Sequence, residues 1–185
     1  MRITFVTSNE HKAREAAGIL AGLAEIEHVS LEIPEIRSES VAEVAAGKAA
    51  YAYSVLKRPV ITDDTGFFVS ALSGFPGTCA AYVQSTIGNT GILTLMAGYA
   101  NRSAFFETGI AYHDGQYQKT FTGSIQGKVV IPRGCGGFGY DPIFEVEGKT
   151  LAEMNEEEKN QISHRALGLH ALRRWLSDEK DSRQA

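Results

Sequence analysis

The sequence predicts a mixed α/β fold, and three observations support this class. Strand-like and helix-like segments alternate early in the chain, and a long strand-turn-strand segment follows them. The 185 residues are also enough for one domain to bury a sizeable core. We therefore expect a single two-lobed domain over residues 1–185, with a mixed sheet, a tail that frays from about 178 to 185, and a central substrate cleft.

The first elements follow from hydrophobic spacing. Arg2–Thr7 is short, apolar and rich in β-branched residues, which predicts a buried strand. From Lys12, small apolar residues recur at helical spacing. Ile26–Ile33 alternates and predicts a second strand, which Pro34 ends.

The second predicted helix starts at Ser40, which has the capping-box spacing to Glu43. Lys48 lies within the apolar stripe of this helix, so it either snorkels to solvent or points into a functional cleft. The stripe itself comprises Val41, Val44, Ala45, Ala52, Val55 and Leu56.

The remaining elements follow turn signals and apolar runs. The strand that begins at Pro59 leads into Asp63-Asp64, and Asp114-Gly115 predicts a hairpin turn. The last helix is expected to turn Leu167, Ala171, Leu172 and Trp175 inward. The predicted segments are a helix over Thr90–Ala97, strands over Ser103–His113, Lys119–Ile131 and Ile143–Val146, a loop over Pro132–Asp141, a helical turn over Glu156–Asn160 and a helix over Ser163–Leu176.

Composition narrows the class of protein. The net charge of −4 argues weakly against a nucleic-acid partner. The two cysteines, Cys79 and Cys135, are too few for a disulfide framework and are expected to be ordinary thiols in a reducing compartment. No apolar run is long enough to span a membrane, and the first residues do not resemble a signal peptide, so we expect a cytoplasmic protein.

Two segments predict a site for phosphates and a metal. Thr7–Lys12 follows a strand and opens a helix, where free N–H groups attract anions; the alternative is an ordinary capped helix with a solvated lysine. Asp63 and Asp64 suit Mg²⁺, with Glu35 as a further candidate carboxylate. The alternative is a turn with two exposed acids, and both carboxylates address one metal only if the strand bends or ends there.

Two later segments predict nucleoside contacts. The glycine-dense loop carries Phe138 and Tyr140, which are candidates to stack on a base, and Asp141, which is a candidate to hold a ribose or base edge. His164 and Arg165 place cations in a first helical turn, with Lys159 just before them. A flexible loop and a surface basic pair are the alternatives. Taken together, these features indicate a nucleotide polyphosphate site.

The sequence resembles the inosine/xanthosine triphosphate pyrophosphatases, the Ham1-like family, from Phe5 to about Leu172. The motifs that carry the resemblance are Thr7-Ser-Asn-Glu-His-Lys12, Asp63-Asp-Thr-Gly66 with Gly74-Phe-Pro-Gly77, Pro132-Arg-Gly with Gly137-Phe-Gly-Tyr-Asp-Pro-Ile-Phe144, and Ala152-Glu-Met154 with Glu158-Lys-Asn160 and Ile162-Ser-His-Arg165.

The resemblance implies hydrolysis of ITP, dITP and XTP to the monophosphate and pyrophosphate by an Mg²⁺-dependent homodimer. It implies that Asp64 accepts a proton and that Lys12 assists catalysis. It also implies that Glu35 and Asp64 bind Mg²⁺, with Asp63 assisting. The implied substrate contacts are Thr7, Ser8, Asn9, Glu10, His11, Lys12, Lys48, Thr65, Phe138, Gly139, Tyr140, Asp141, Lys159, His164 and Arg165.

One departure from the family pattern concerns the segment after Gly77. Many bacterial members have an arginine there, whereas Thr78–Val83 contains no basic residue. Two other functions stay open at this point: a pyrophosphatase of broader specificity, and a nucleotide-binding regulator without turnover. The carboxylates argue against the regulator, because binding alone needs no base.

Overall fold

The computed structural model describes residues 1–34 and 36–182. Its helices are α1 Glu10–Leu20, α2 Val41–Leu56, α3 Ala80–Thr86, α4 Gly88–Leu95, α5 Glu156–Gln161 and α6 His164–Ser182. Its strands are β1 Arg2–Val6, β2 Glu25–Val29, β3 Val60–Val69, β4 Pro76–Gly77, β5 Ser103–His113, β6 Gln118–Val129, β7 Phe144–Val146 and β8 Lys149–Thr150.

The strands form one mixed sheet, in the order β2-β1-β3-β5-β6-β7-β8 with β4 paired to β3. β1 is parallel to β2 and β3, whereas β3 with β4, β6 with β7, and β7 with β8 are antiparallel. The predicted mixed α/β class is confirmed. Contacts divide the chain into a first unit and a second unit. The second comprises Thr65–Glu107 and Ser124–Ser163, and the first comprises the other described residues.

In the first unit, helices pack on both faces of the parallel strands. Ile3, Phe5 and Ile61 face one side and pack with residues of α1 and α6. Val6 and Val60 face the other side and pack with alanines of α2. Because side chains alternate along a strand, neighbouring positions of β3 face different helices.

Glycines let two helices of this unit approach the sheet closely. A β-carbon at Gly109 would lie 2.6 Å from the carbonyl oxygen of Val41, at the start of α2. A β-carbon at Gly123 would overlap the His164 carbonyl, at the start of α6. Both helix starts therefore lie directly on the strands.

The second unit has its own core, which is rich in aromatic rings. Phe67 of β3 stacks on Tyr140 at 4.5 Å between ring centroids and lies 4.7 Å from Phe106. Phe106 in turn meets Phe144 edge-on at 4.8 Å. Val83 of α3 and Ile92 of α4 belong to the same cluster.

Several predicted boundaries need correction. β3 does not end at Asp63-Asp64 but runs on to Val69, because Phe67 and Val69 have a core of their own to enter. The tail predicted to fray from 178 is helical to Ser182, while residues 183–185 lie outside the described part. Three short elements, α3, β4 and β8, were not predicted.

The predicted helix faces are also wrong at two positions. Val55 is 49% exposed and Leu167 is 48% exposed. In α6 the buried leucines are Leu169, Leu172 and Leu176, a register that periodicity alone did not locate. Within residues 1–34 and 36–182, no helix is both long and apolar enough to cross a membrane.

Candidate active site

The turn between β1 and α1 is a capped helix start. Asn9 is the N-cap, and its side-chain oxygen accepts a hydrogen bond from the His11 backbone N–H at 2.9 Å. The Asn9 N–H in turn donates to the Thr7 hydroxyl at 3.2 Å. Ser8, Glu10 and His11 are exposed, so this segment presents the N-terminal end of α1 to solvent. Such an end favours anions.

The alternative of an ordinary capped helix predicted that Lys12 extends into solvent, and the structure contradicts it. Its ammonium group lies 2.8 Å from Oδ2 of Asp63. The side chain of Asp63 is only 2% exposed. The lysine of the predicted phosphate segment is therefore placed against the acidic pair of β3.

Asp63 binds a second cation through the same oxygen. Arg165, at the start of α6, donates from Nε to Oδ2 of Asp63 at 3.2 Å. Burial alone would raise the pKa of Asp63, but the adjacent charges of Lys12 and Arg165 outweigh it and lower the pKa below its ordinary value. Asp63 is thus held as a carboxylate.

Asp64 faces the opposite side of the sheet, toward α2. Thr62, on the same face, donates to the Ala45 carbonyl of α2 at 2.8 Å. Oδ1 of Asp64 accepts from the ammonium group of Lys48, also on α2, at 2.5 Å. Lys48 therefore does not snorkel to solvent, which was one of its two predicted orientations. It points at a carboxylate of the predicted site.

The second oxygen of Asp64 has no such partner. Oδ2 is buried and accepts no hydrogen bond from any residue that the structure describes. Burial raises the pKa of Asp64 above its ordinary value, even though the charge of Lys48 opposes the shift. A buried, unpartnered carboxylate oxygen is costly, and such atoms are found where a ligand binds.

Two further residues of the first unit were not identified from the sequence. Glu15 of α1 lies 3.0 Å from Nη1 of Arg165. The fully buried Thr108 of β5 shares a 2.6 Å hydrogen bond with Nδ1 of His164. Glu15 lies one helical turn after Lys12, so the i, i+3 spacing of the two was the available signal.

Of the predicted magnesium ligands, Asp63 and Asp64 lie on β3, and Glu35 lies outside the described residues. Among the described residues, no group of three histidine, cysteine, aspartate or glutamate side chains is placed to hold a metal. Asp64 fits Mg²⁺ as one carboxylate ligand, because its Oδ2 is an oxygen in need of a partner. Asp63 is already bound by two cations, and its role at a metal stays a prediction.

The glycine-dense loop belongs to the second unit, where one carboxylate organises it. Oδ2 of Asp141 accepts from the Phe138 backbone N–H at 2.9 Å and from the Lys159 ammonium group at 2.6 Å. The Lys159 ammonium also lies 5.7 Å from the centroid of the Phe138 ring. That ring is 70% exposed, so Phe138 is free to stack on a ligand. Gly139 lies beside it, and its carbonyl accepts hydrogen bonds from Gln84 and Asn89.

The expectation that Tyr140 stacks on a base is wrong. Its ring is 5% exposed and packs on Phe67 in the core of the second unit. Its hydroxyl donates to the Ala80 carbonyl at 2.9 Å, and burial raises the pKa of Tyr140 to about 12. This bond ties the loop to α3, which begins within Thr78–Val83, the segment without a basic residue.

Comparison with known proteins identifies the family. The model of the Ham1 family matches residues 3–175. The dITP/XTP pyrophosphatase of Thermococcus kodakarensis is 46% identical over 182 residues, which cover 96% of this chain and 98% of that protein. The enzyme of the same name from Methanopyrus kandleri is 46% identical over 183 residues and covers 96% and 97% of the two chains.

Solved structures agree with the fold. The Ham1 protein of Staphylococcus aureus superimposes with a TM-score of 0.88 at 28% sequence identity, over 97% of this chain and all of that one. The predicted resemblance is therefore confirmed along nearly the whole length of the sequence. This chain belongs to the Ham1 family.

Proposed function

We propose that this chain hydrolyses non-canonical purine nucleoside triphosphates, namely ITP, dITP and XTP, to the monophosphate and pyrophosphate. The relatives from Thermococcus kodakarensis and Methanopyrus kandleri are named as dITP/XTP pyrophosphatases, which supports these substrates. The observation that carries the proposal is Asp64, whose Oδ2 is buried and unpartnered among the described residues while Lys48 holds its Oδ1.

In this proposal, Asp64 is the general base. One lone pair of its Oδ2 takes a proton from the attacking water, and the other lone pair is left for Mg²⁺. The oxygen of that water bonds to the α-phosphorus as the bond to the α–β bridging oxygen breaks. Lys48 fixes the carboxylate so that one oxygen stays directed at the water. The raised pKa of Asp64 makes it a better proton acceptor than an ordinary aspartate once it is ionised.

The triphosphate is proposed to lie at the start of α1, over residues Thr7–Lys12. The free backbone N–H groups of that turn and the ammonium group of Lys12 stabilise negative charge as it develops. Thr65, the residue of β3 that follows Asp64, is proposed to contact the substrate as well. His164 and Arg165 are proposed to favour a purine that carries a 6-keto oxygen, because their N–H groups can donate hydrogen bonds to that oxygen. Adenine has an amino group at this position, which is itself a donor and cannot accept these bonds.

The charges of the site favour an Mg²⁺ requirement. The cations Lys12, Lys48 and Arg165 are matched by the carboxylates Glu15, Asp63 and Asp64, so these six described residues have no net charge. A triphosphate therefore needs additional positive charge. Mg²⁺, held by Asp64 and by Glu35 of the predicted ligand set, would neutralise phosphate charge and orient the scissile bond.

In the second unit, we propose that Phe138, Gly139, Asp141 and Lys159 contact the nucleoside. The exposed ring of Phe138 is the stacking surface. The ammonium group of Lys159 pairs with Asp141 and lies over this ring, which fixes the position of the ring. Tyr140 takes the different role of anchoring this loop to the core.

The proposal also includes a cytoplasmic enzyme that acts as a homodimer. The cytoplasmic location is predicted from the sequence, and the homodimer is implied by the family resemblance. Light scattering coupled to size exclusion tests the assembly: a mass of two chains supports the dimer, and a mass of one chain contradicts it.

The experiment that tests the function is pyrophosphate release from ITP, XTP, GTP, ATP and CTP, each with Mg²⁺ and with EDTA. We expect fast release from ITP and XTP with Mg²⁺ and loss of release with EDTA. Equal turnover of all five nucleotides would replace the proposed specificity with a broad one. No turnover of any would support a nucleotide-binding regulator instead.

A further inference from the structure

Arg165 is bound by carboxylates from two elements of the first unit. Oδ2 of Asp63 on β3 accepts from its Nε at 3.2 Å, and Oε2 of Glu15 on α1 accepts from its Nη1 at 3.0 Å. The side chain of Arg165 is 13% exposed and that of Glu15 is 19% exposed. Two separate ion pairs on one planar group fix both its position and its orientation.

Glu15 faces inward from α1, with a side chain that is 19% exposed. It lies on α1 between the buried residues Ala13 and Ala16, where a glutamate that makes no contact would snorkel to solvent. Instead its carboxylate crosses to the first turn of α6. The fold thus brings a second anion to an arginine that Asp63 already neutralises.

The arrangement also connects Arg165 to Lys12. Both cations bind the same oxygen of Asp63, so the position of one restricts the position of the other. Glu15 accepts from Nη1 of Arg165, whereas Asp63 accepts from its Nε. Removing Glu15 therefore loosens the arginine without removing either partner of the Lys12–Asp63 pair.

We infer that Glu15 is a positioning residue, which holds the guanidinium of Arg165 in the orientation that binds the substrate. The inference rests on the proposed function for the identity of that substrate. Glu15 does not touch the reacting atoms; it acts through Arg165. Its effect should therefore fall on KM, while kcat, which depends on Asp64 and Lys48, changes little.

The test compares three variants of the full-length chain. Glu15→Gln keeps the shape but removes the charge, and Glu15→Asp keeps the charge on a shorter side chain. Glu27→Gln is the matched control, because Glu27 forms a two-pronged pair with Arg58 at 3.0 and 3.1 Å in the same unit, outside the proposed site. All three are assayed for ITP hydrolysis over a range of concentrations.

We expect Glu15→Gln to raise KM for ITP about 10-fold, the effect of losing one charged hydrogen bond. Glu15→Asp should recover part of this loss, and Glu27→Gln should match the parent chain. An unchanged KM in Glu15→Gln would overturn the inference. So would an equal rise in Glu27→Gln, which would indicate a general effect of removing a carboxylate.

A second readout does not depend on turnover. The Nε–H of Arg165 is followed by ¹⁵N NMR, assigned with an Arg165→Lys variant, and its hydrogen exchange is measured without nucleotide. We expect faster exchange in Glu15→Gln and parent-like exchange in Glu27→Gln; unchanged exchange in Glu15→Gln would overturn the inference. If the parent chain releases no pyrophosphate, the proposed function fails, and exchange still decides whether Glu15 fixes Arg165.

Discussion

The two units place their candidate binding residues on different kinds of structure. In the first unit, Asp63 and Asp64 lie within a strand and form ion pairs with two lysines and an arginine from three helices. In the second unit, Phe138 lies in a glycine-dense loop that Asp141 organises. Charged groups that must be buried and paired need rigid elements around them, whereas an aromatic ring that stacks on a ligand needs only an anchored loop.

The largest expected effect on stability is that of Asp63→Asn. Because Asp63 is buried between Lys12 and Arg165, its loss leaves two cations without their shared anion. We expect the free energy of unfolding at pH 7, measured in urea, to fall by about 3 kcal/mol. Glu27→Gln removes a half-exposed ion pair and should change the free energy of unfolding by less than about 1 kcal/mol.

The pH dependence of this effect has a definite sign. Since the pKa of Asp63 is lowered by folding, its contribution is present above the ordinary value of 3.8 and is lost as pH falls through the lower folded value. The difference between the parent chain and Asp63→Asn should therefore shrink in acid. A difference that stays constant down to about pH 3 would contradict the ion-paired state of Asp63.

A glycine pair probes how the loop of the second unit is anchored. Gly134 has φ +75°, and a β-carbon there would lie 2.5 Å from the Ala152 carbonyl carbon. Gly139 has φ +61° with open space around it. Gly139→Ala should cost about 1 kcal/mol from backbone strain, and Gly134→Ala more than about 2 kcal/mol from strain and overlap. The free energy of unfolding of both variants is measured by thermal unfolding. Equal losses in Gly134→Ala and Gly139→Ala would show that the loop is not tightly packed at Gly134.

Tyr140→Phe separates the anchor of this loop from its stacking surface. At pH 7 the variant loses one hydrogen bond, to the Ala80 carbonyl, worth about 1 kcal/mol. The raised pKa of about 12 means that the parent chain loses stability as pH rises from the ordinary value of 10.0. The phenylalanine variant lacks this loss, so the stabilities should converge in alkali. Urea unfolding at pH 7 and about pH 11 measures both, and divergence would contradict the buried phenol.

Phe138→Ala should have the smallest effect on stability. The ring is 70% exposed, so thermal unfolding should be unchanged within about 0.5 kcal/mol. KM for ITP should rise at least about 5-fold, because stacking on a base contributes about 1–3 kcal/mol. An unchanged KM would remove Phe138 from the proposed nucleoside contacts.

Much of the fold was predictable because local patterns agree with tertiary packing. Strand β5 matches the prediction at both ends, and Ser40 caps α2 through the Glu43 backbone N–H at 3.4 Å. The capping box is incomplete, since the Glu43 side chain instead accepts from the Ser38 hydroxyl. The end of β3 was missed because Asp63-Asp64 has the polar pattern of a strand end. The cations that allow these two carboxylates to be buried within the strand lie far away in sequence.

The site was predictable to the extent that its residues are unusual where they stand. Lys12 is a cation in the first turn of a helix, and Lys48 is a charged residue in an apolar stripe. Both form ion pairs with carboxylates in the structure. Glu15 violates no helix preference, and its one signal in the sequence is the i, i+3 spacing from Lys12. Its contact with Arg165, which is 150 residues away, is seen only in the structure. Tyr140 shows the reverse error, because an aromatic in a glycine-rich loop has the same local pattern whether it binds a base or enters the core.

The most direct test of the proposed chemistry is the rate of pyrophosphate release from ITP by Asp64→Asn, measured in a single turnover with saturating Mg²⁺. Asparagine retains the shape of Asp64 but cannot act as the base, so we predict a rate at least about 10²-fold below that of the parent chain. Thermal unfolding should stay cooperative, which shows that the fold is retained. A near-normal rate from the folded variant would contradict Asp64 as the proton acceptor.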